Sequence, residues 1–292
     1  LVTGDVGVLV DPASTSTVRF YNNGTLSGDE VAYQGGNGVD QFWNSGELNG
    51  DVLLGGGNDR FEGYVWTSFG QILIDGGAGN DGFILRNNSF DENAVVFDGG
   101  SGFDTLDLRP ANGVRGLVLG EDALRFERVI GGRYYDEITG DGFANTIEGR
   151  EGGDSLDGGG GADTIIGGAE NDQMAGGTGN DTFRFNGPGD ASDYTFYRDV
   201  IVDWSNTATD DDRLQIDASG YGGGLPLGTL SATRFQSRLD NVAQDADDRF
   251  IFETDDRILW FDVDGNGAAA PIAIAQFGGT APVTAADIFV VA

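Results

Sequence analysis

The sequence predicts an all-β protein: a right-handed parallel β-solenoid from residue 1 to about 185, closed by a β-sandwich-like C-terminal cap. Three observations predict it. Residues 131–184 divide without gaps into six nine-residue units, GGRYYDEIT, GDGFANTIE, GREGGDSLD, GGGGADTII, GGAENDQMA and GGTGNDTFR. The same nonapeptide recurs singly upstream, starting at Gly35, Leu54, Gly76 and Gly99, at intervals of 19, 22 and 23 residues. Glycine makes up 51 of 292 residues with no triplet period, and 39% of the chain is apolar, with 19 Phe. Such glycine belongs to turns around a core, not to a collagen or a disordered chain.

The units follow G-G-x-G-x-D-x-U-x, where U is a large apolar residue. Position eight is Ile138, Ile147, Leu156, Ile165, Met174 and Phe183; position six is Asp136, Asn145, Asp154, Asp163, Asp172 and Asp181. A strict period that fixes glycine, aspartate and an apolar residue together marks a parallel β-roll. Each x-U-x is a very short strand whose central side chain points inward, because strand side chains alternate. Two units, eighteen residues, make one coil. The glycines turn through conformations other residues avoid, and the crowded carbonyls call for a cation. Aspartate at position six adds the hard anionic oxygen that Ca2+ takes. A flexible Gly/Asp-rich linker would have no reason to keep an apolar residue at every ninth place.

The candidate metal-binding aspartates are therefore Asp40, Asp59, Asp81, Asp104, Asp136, Asp154, Asp163, Asp172 and Asp181. The glycines of their turns are Gly36, Gly38, Gly77, Gly79, Gly100, Gly102, Gly159, Gly161, Gly177 and Gly179. In the tandem array alternate units share an edge, which places Asp136, Asp154 and Asp172 on one side and Asn145, Asp163 and Asp181 on the other. Upstream, Asp40, Asp59, Asp81 and Asp104 form a single row.

These units resemble the RTX (repeats-in-toxin) calcium-binding nonapeptides of secreted bacterial proteases, lipases, haemolysins, epimerases and surface proteins. The resemblance implies a β-roll, Ca2+ as cofactor and export by a type I transporter. It implies nothing about an activity, because the module accompanies many unrelated ones.

In chain order, residues 1–130 are expected to form wider coils, each with one calcium turn and an irregular loop on the other edge. A second strand precedes each glycine pair: Val31-Ala32-Tyr33, Val52-Leu53, Ile72-Leu73-Ile74 and Val95-Val96-Phe97. The inward residues Phe42, Phe61, Phe83 and Leu106 are mostly larger than those of the array, as a wider cross-section needs. The 32 residues from Gly99 to Gly131 read as a transitional coil with strand-like Leu117-Val118-Leu119 and Leu124-Arg125-Phe126. Gly4-Asp5-Val6 and Gly28-Asp29-Glu30-Val31 resemble half-turns. Trp43, Tyr64, Trp66, Phe69 and Phe90 are placed in the opposite loops, where they either anchor a loop over the core or stack on sugars.

Residues 131–185 are the tandem roll, and 186–292 the cap with a secretion signal. In the cap, Asp199–Trp204 and Asp210–Asp217 flank an acidic loop and resemble the segment that closes RTX rolls in the secreted proteases. A solenoid end needs such a cover for its core and strand edges. Strands follow at Phe250-Ile251-Phe252, Ile258–Phe261 and Ile272–Ala275. Asp262-Val263-Asp264-Gly265-Asn266-Gly267 opens like an EF-hand loop, but Ala273 stands where its bidentate Glu belongs, so a hairpin turn is expected. Asp287-Ile288-Phe289-Val290-Val291 resembles the C-terminal export signal of type I secreted RTX proteases and lipases, and is expected to fold as an edge strand of the cap.

Composition narrows the function. A net charge of −32 argues against nucleic acid as a partner. With no Cys, no His and only Arg among the sixteen basic residues, thiolate, imidazole and lysine chemistry are absent. Adjacent carboxylates such as Asp255-Asp256 are expected by chance at this acidity. No stretch reaches the length of a membrane helix. Leu1-Val2-Thr3 is neither a charged signal-peptide start nor a Met start, so a fragment or processed product is expected. The expected function is non-enzymatic: a calcium-folded RTX module carrying the type I secretion signal of a larger exported bacterial protein. The alternatives are a calcium-dependent surface-layer or adhesin protein, and a polysaccharide-binding or carbohydrate-active β-helix. A type I transporter, and a cell surface or polysaccharide, are the expected partners, and the expected location is extracellular.

Overall fold

Short strands stacked in register, one per coil on each face, build the protein. The structure, a computed structural model, describes residues 6–67, 70–86, 95–111, 117–120, 123–187, 198–222 and 224–292. They fall into two units, Leu1–Gly140 and Asp141–Ala292. This division falls within the tandem repeat, whose ends set the expected boundaries at 130 and 185.

In the first unit two parallel sheets carry the coils. One orders Val6–Leu9, Thr25–Gln34, Glu47–Leu53, Ile72–Asp75, Val95–Asp98 and Ala123–Leu124. The other orders Val18–Asn22, Asp40–Asn44, Arg60–Gly63, Gly82–Leu85, Thr105–Asp107 and Arg128–Ile130. Because strands pair in register, the inward residue of each coil stacks on its equivalent in the next. Phe20, Phe42, Phe61, Phe83, Leu106 and Val129 form one such column. Tyr33, Val52, Ile74, Phe97 and Ala123 form the facing one. Phe42, Phe61 and Phe83 are fully buried, with ring centroids 5.5 and 6.3 Å apart along the column. Each such side chain contributes roughly 1.5–3 kcal/mol by leaving water.

The 32-residue transitional coil is not what the chain builds. Arg128 pairs with Thr105 at the same offset of 23 residues that links Thr105 to Gly82, so the coil before Gly131 closes at Glu127. Trp43 also departs from expectation. It lies in strand Asp40–Asn44, facing outward, with its ring 4.6 Å from that of Tyr21 and its indole N–H donated to Glu62. Tyr64 and Trp66 do lie in the following loop, where their rings stack at 6.4 Å. Phe69, Phe90, Gly4 and Asp5 lie outside the described residues.

In the second unit the eighteen-residue coil is direct: Thr146 pairs with Thr164, Thr164 with Thr182, and Ser155 with Gln173. The parallel stack does not stop at 185. Thr182–Phe185 pairs in parallel with Arg213–Asp217, and that strand with Ile288–Val291. Gln173–Ala175 pairs in parallel with Asp199–Ile201, and that strand with Ile272–Phe277. The core columns run on with them, as Ile147, Ile165, Phe183, Leu214 and Ile288, and as Leu156, Met174, Ile201 and Phe277. Trp204 packs between them, 6.3 Å from Phe183 and 5.2 Å from Phe277.

The sandwich-like cap is thus grown on the roll's own sheets. Ile258–Phe261 and Phe250–Glu253 add antiparallel strands to one, and Gly228–Thr229 adds one to the other. Asp262–Gly267 lies between antiparallel Ile258–Phe261 and Ile272–Phe277, as a hairpin connection should. The C-terminal strand Ile288–Val291 is not an edge. It sits between Arg213–Asp217 and Gly228–Thr229, with Ile288 and Val290 buried.

Candidate metal centre

The turns that join these strands place position-six carboxylates in rows. In the first unit the amide of Asp40 donates to Asp59 Oδ1 at 2.7 Å, that of Asp59 to Asp81 Oδ1 at 2.6 Å, and that of Asp81 to Asp104 Oδ1 at 2.7 Å. This is the single row expected upstream. In the second unit there are two rows. Asn145 donates to Asp163 Oδ1 at 2.7 Å and Asp163 to Asp181 Oδ1 at 2.8 Å; separately, Asp154 donates to Asp172 Oδ1 at 2.7 Å. Asp136 falls in the first unit, where its Oδ2 accepts the Gly132 amide at 2.6 Å.

Oδ1 of Asp59, Asp81, Asp104, Asp163, Asp172 and Asp181 is thus bound to the coil before it. Asp59 Oδ2, Asp81 Oδ2, Asp104 Oδ2, Asp163 Oδ2, Asp172 Oδ2 and Asp181 Oδ2 are buried with no hydrogen-bond partner among the described residues, as is Asp40 Oδ1 at the head of its row. A buried carboxylate oxygen without a donor is costly unless a cation meets it. Burial, with neighbouring carboxylates adding to it, pushes Asp59 and Asp163 up to about 7, and Asp104 and Asp181 up to about 6.

Backbone carbonyls complete the donor set, and glycine is what lets them in. Gly79 and Gly179 both have φ of +139°, and a Cβ there would stand 1.4 and 1.5 Å from the carbonyl oxygens of Gly57 and Gly161 one coil earlier. Gly77, Gly100, Gly102, Gly159, Gly161 and Gly177 share the positive φ. Gly36 and Gly38 do not. The coil before them turns through non-repeat residues 11–17, so they need glycine for close approach to the carbonyls of Asp11 and Ser16, not for φ. Carboxylate and carbonyl oxygens in a buried, strongly acidic gap fit Ca2+, which takes six to eight hard oxygen ligands in flexible geometry.

Four acidic groups of these rows lie outside the sequence-predicted set. Glu127 Oε2 accepts the Asp104 amide at 2.7 Å and ends the first row. Asp212 Oδ1 accepts the Asp181 amide at 3.2 Å, and Asp199 Oδ1 that of Asp172 at 3.0 Å, ending the other two. Asp181, Asp210 and Asp212 bring one carboxylate oxygen each to within 4.8 Å of one another, and Asp210 Oδ1 is buried without a partner. No glycine pair precedes Glu127, Asp199 or Asp212, which hid them. The detectable signal was the acid-x-apolar spacing of the repeat: Glu127 before Val129, Asp199 before Ile201, Asp212 before Leu214.

The fold and these rows define a calcium-binding β-roll. Residues 148–183 match the family model of the RTX calcium-binding nonapeptide repeat in four copies. The array is therefore an RTX array, and the protein binds Ca2+ through it. Among solved structures, the solution structure of the AlgE6R3 subunit from the Azotobacter vinelandii mannuronan C5-epimerase is similar at 27% identity and a TM-score of 0.35, over 55% of this chain and 80% of that one. No curated protein matches the chain. Among the described residues no helix is long and apolar enough to cross a membrane.

Proposed function

We propose that the protein is a non-enzymatic, calcium-dependent folding module of a type I secreted bacterial protein, unfolded where calcium is scarce and folded by extracellular calcium. One observation carries this reading: rows of buried carboxylate oxygens with no hydrogen-bond partner among the described residues. Without a cation these groups repel and resist burial, so binding free energy becomes folding free energy. Extracellular calcium modules bind at about 10⁻⁴–10⁻³ M, which suits a switch between cytoplasm and exterior. Far-UV circular dichroism tests it: chelation should abolish the β signal and millimolar calcium restore it cooperatively. Unchanged spectra in chelator would remove the switch.

The export signal is assigned to Asp287–Val291. Truncation is a poor test, since Ile288 and Val290 belong to the core of the second unit. Phe289 is 44% exposed on the opposite face, so Phe289→Ser should cut type I export while leaving the calcium titration intact. Normal export of Phe289→Ser would reduce the segment to a structural strand.

A further inference from the structure

The carboxylate row of the first unit ends on a turn built differently from the others. From the paired residue Asp98 to the paired residue Thr105 the chain advances seven positions; from their partners, Leu124 to Arg128, it advances four. This turn is three residues shorter than the calcium turn it pairs with. What remains, Arg125-Phe126-Glu127, supplies a first-position carbonyl, a cation, an inward ring and the inter-turn hydrogen bond.

Arg125 takes the first turn position. Its carbonyl lies 2.3 Å from where a Cβ on Gly99 would stand, as the Gly99 carbonyl lies 2.5 Å from that point on Gly76. Its φ is +54°, an uncommon conformation for a residue with a side chain. The guanidinium grips the buried carboxylate of Asp98 with two bonds, Nε to Oδ1 at 2.6 Å and Nη2 to Oδ2. Asp98 stands directly before the glycine pair and pairs in register with Asp75. Phe126 turns inward, its ring edge-on to Phe83 at 5.2 Å. It takes up volume in the coil where Ala123 replaces the Phe97 of the coil before. Glu127 accepts the Asp104 amide and so keeps the inter-turn hydrogen bond.

We propose that Arg125 is a resident cation that ends this row: the guanidinium does for the last gap, between residues 99–104 and 124–127, what calcium does for the others, and that gap binds no metal. A planar guanidinium suits the role, being always charged and matched to a carboxylate in two-point contact. The shortened turn lacks the glycine carbonyls a calcium ion would need. The inference rests on calcium filling the other gaps of the row and is independent of export.

The test compares Arg125→Gln, Arg125→Lys and Asp81→Asn with the unsubstituted full chain, by thermal unfolding at calcium concentrations across the millimolar range and by ion counting in native mass spectrometry. Arg125→Gln, which removes a half-exposed guanidinium, should lower the midpoint by about 2–4 °C, by the same amount at every calcium concentration and with no change in bound ions. Arg125→Lys, which keeps the charge but not the two-point grip, should fall between and serves if the Gln variant does not fold. The deficit of Asp81→Asn should widen as calcium rises. An Arg125→Gln deficit that widens in the same way, a variant one ion short, or no deficit at all would overturn the proposal. An Asp81→Asn deficit that ignores calcium would instead overturn the calcium reading of the row.

Discussion

Replacing Asp163 by Asn should change stability in opposite directions with and without calcium. Asp163 Oδ1 accepts the Asn145 amide at 2.7 Å, and an amide oxygen can keep that bond, as the native Asn145 does toward the Asp141 amide at 3.0 Å. Oδ2, buried and unpartnered, becomes an NH2 group that cannot ligate a cation. At about 10 mM calcium, a site of 10⁻⁴–10⁻³ M affinity stabilises the fold by about 1.5–3 kcal/mol, which the variant loses. Without calcium the balance reverses. Burial pushes the Asp163 carboxyl up to about 7, so keeping it charged at pH 8 costs the fold about 4 kcal/mol. The amide removes that cost and adds about 1–3 kcal/mol for a buried NH2 without acceptor, leaving a net gain of about 1–3 kcal/mol. Thermal unfolding across a calcium series, with trimethylamine oxide present to populate the ion-free fold, should give two stability curves that cross. A variant less stable at every calcium concentration would refute the reasoning.

The same carboxylates set two opposed pH dependences. In metal-stripped buffer, Asp59, Asp163 and Asp212, raised by burial to about 7 from 3.8, bind protons more tightly folded than unfolded. Ion-free stability should therefore be highest near pH 4 and fall as pH rises through 7, read as the trimethylamine oxide concentration that half-folds the chain at pH 5 and 8; a lower concentration at pH 8 would contradict this. Calcium needs the deprotonated form, so the calcium concentration at half-folding should rise as pH falls from 8 to 6. Gly179→Ala should cost roughly 3 kcal/mol or more, since both φ and the Gly161 carbonyl exclude a Cβ. Gly142→Ala, with nothing within 4 Å, should stay near neutral in the same melts.

Much of this was legible because the repeat writes geometry directly into spacing. Nine residues per half-coil gave the eighteen-residue register, and the apolar eighth positions named core residues such as Ile165 and Phe183. The rows of Asp59, Asp81 and Asp104, and of Asp163 and Asp181, follow from the same period. What stayed hidden depends on partners far apart in sequence. Arg213–Asp217 continues the roll after an insertion that breaks the glycine period, so composition alone placed it in the cap. Ile288–Val291 becomes a central strand only because Gly228–Thr229, some sixty residues earlier, returns to its far side. The turn at Arg125 was missed because a guanidinium and a phenyl ring replace the glycines by which a calcium turn is recognised.

The central claim is that calcium occupies the gaps between hydrogen-bonded turns. Within the two units those gaps are Asp40/Asp59, Asp59/Asp81 and Asp81/Asp104 in the first. In the second they are Asn145/Asp163, Asp163/Asp181, Asp181/Asp212, Asp154/Asp172 and Asp172/Asp199. Anomalous scattering from crystals grown in calcium locates the ions directly. The account predicts peaks in these gaps, in one row along residues 40–104 and two along residues 145–212, with none between residues 99–104 and 124–127. Gaps without peaks, or a second row along residues 40–104, would contradict it.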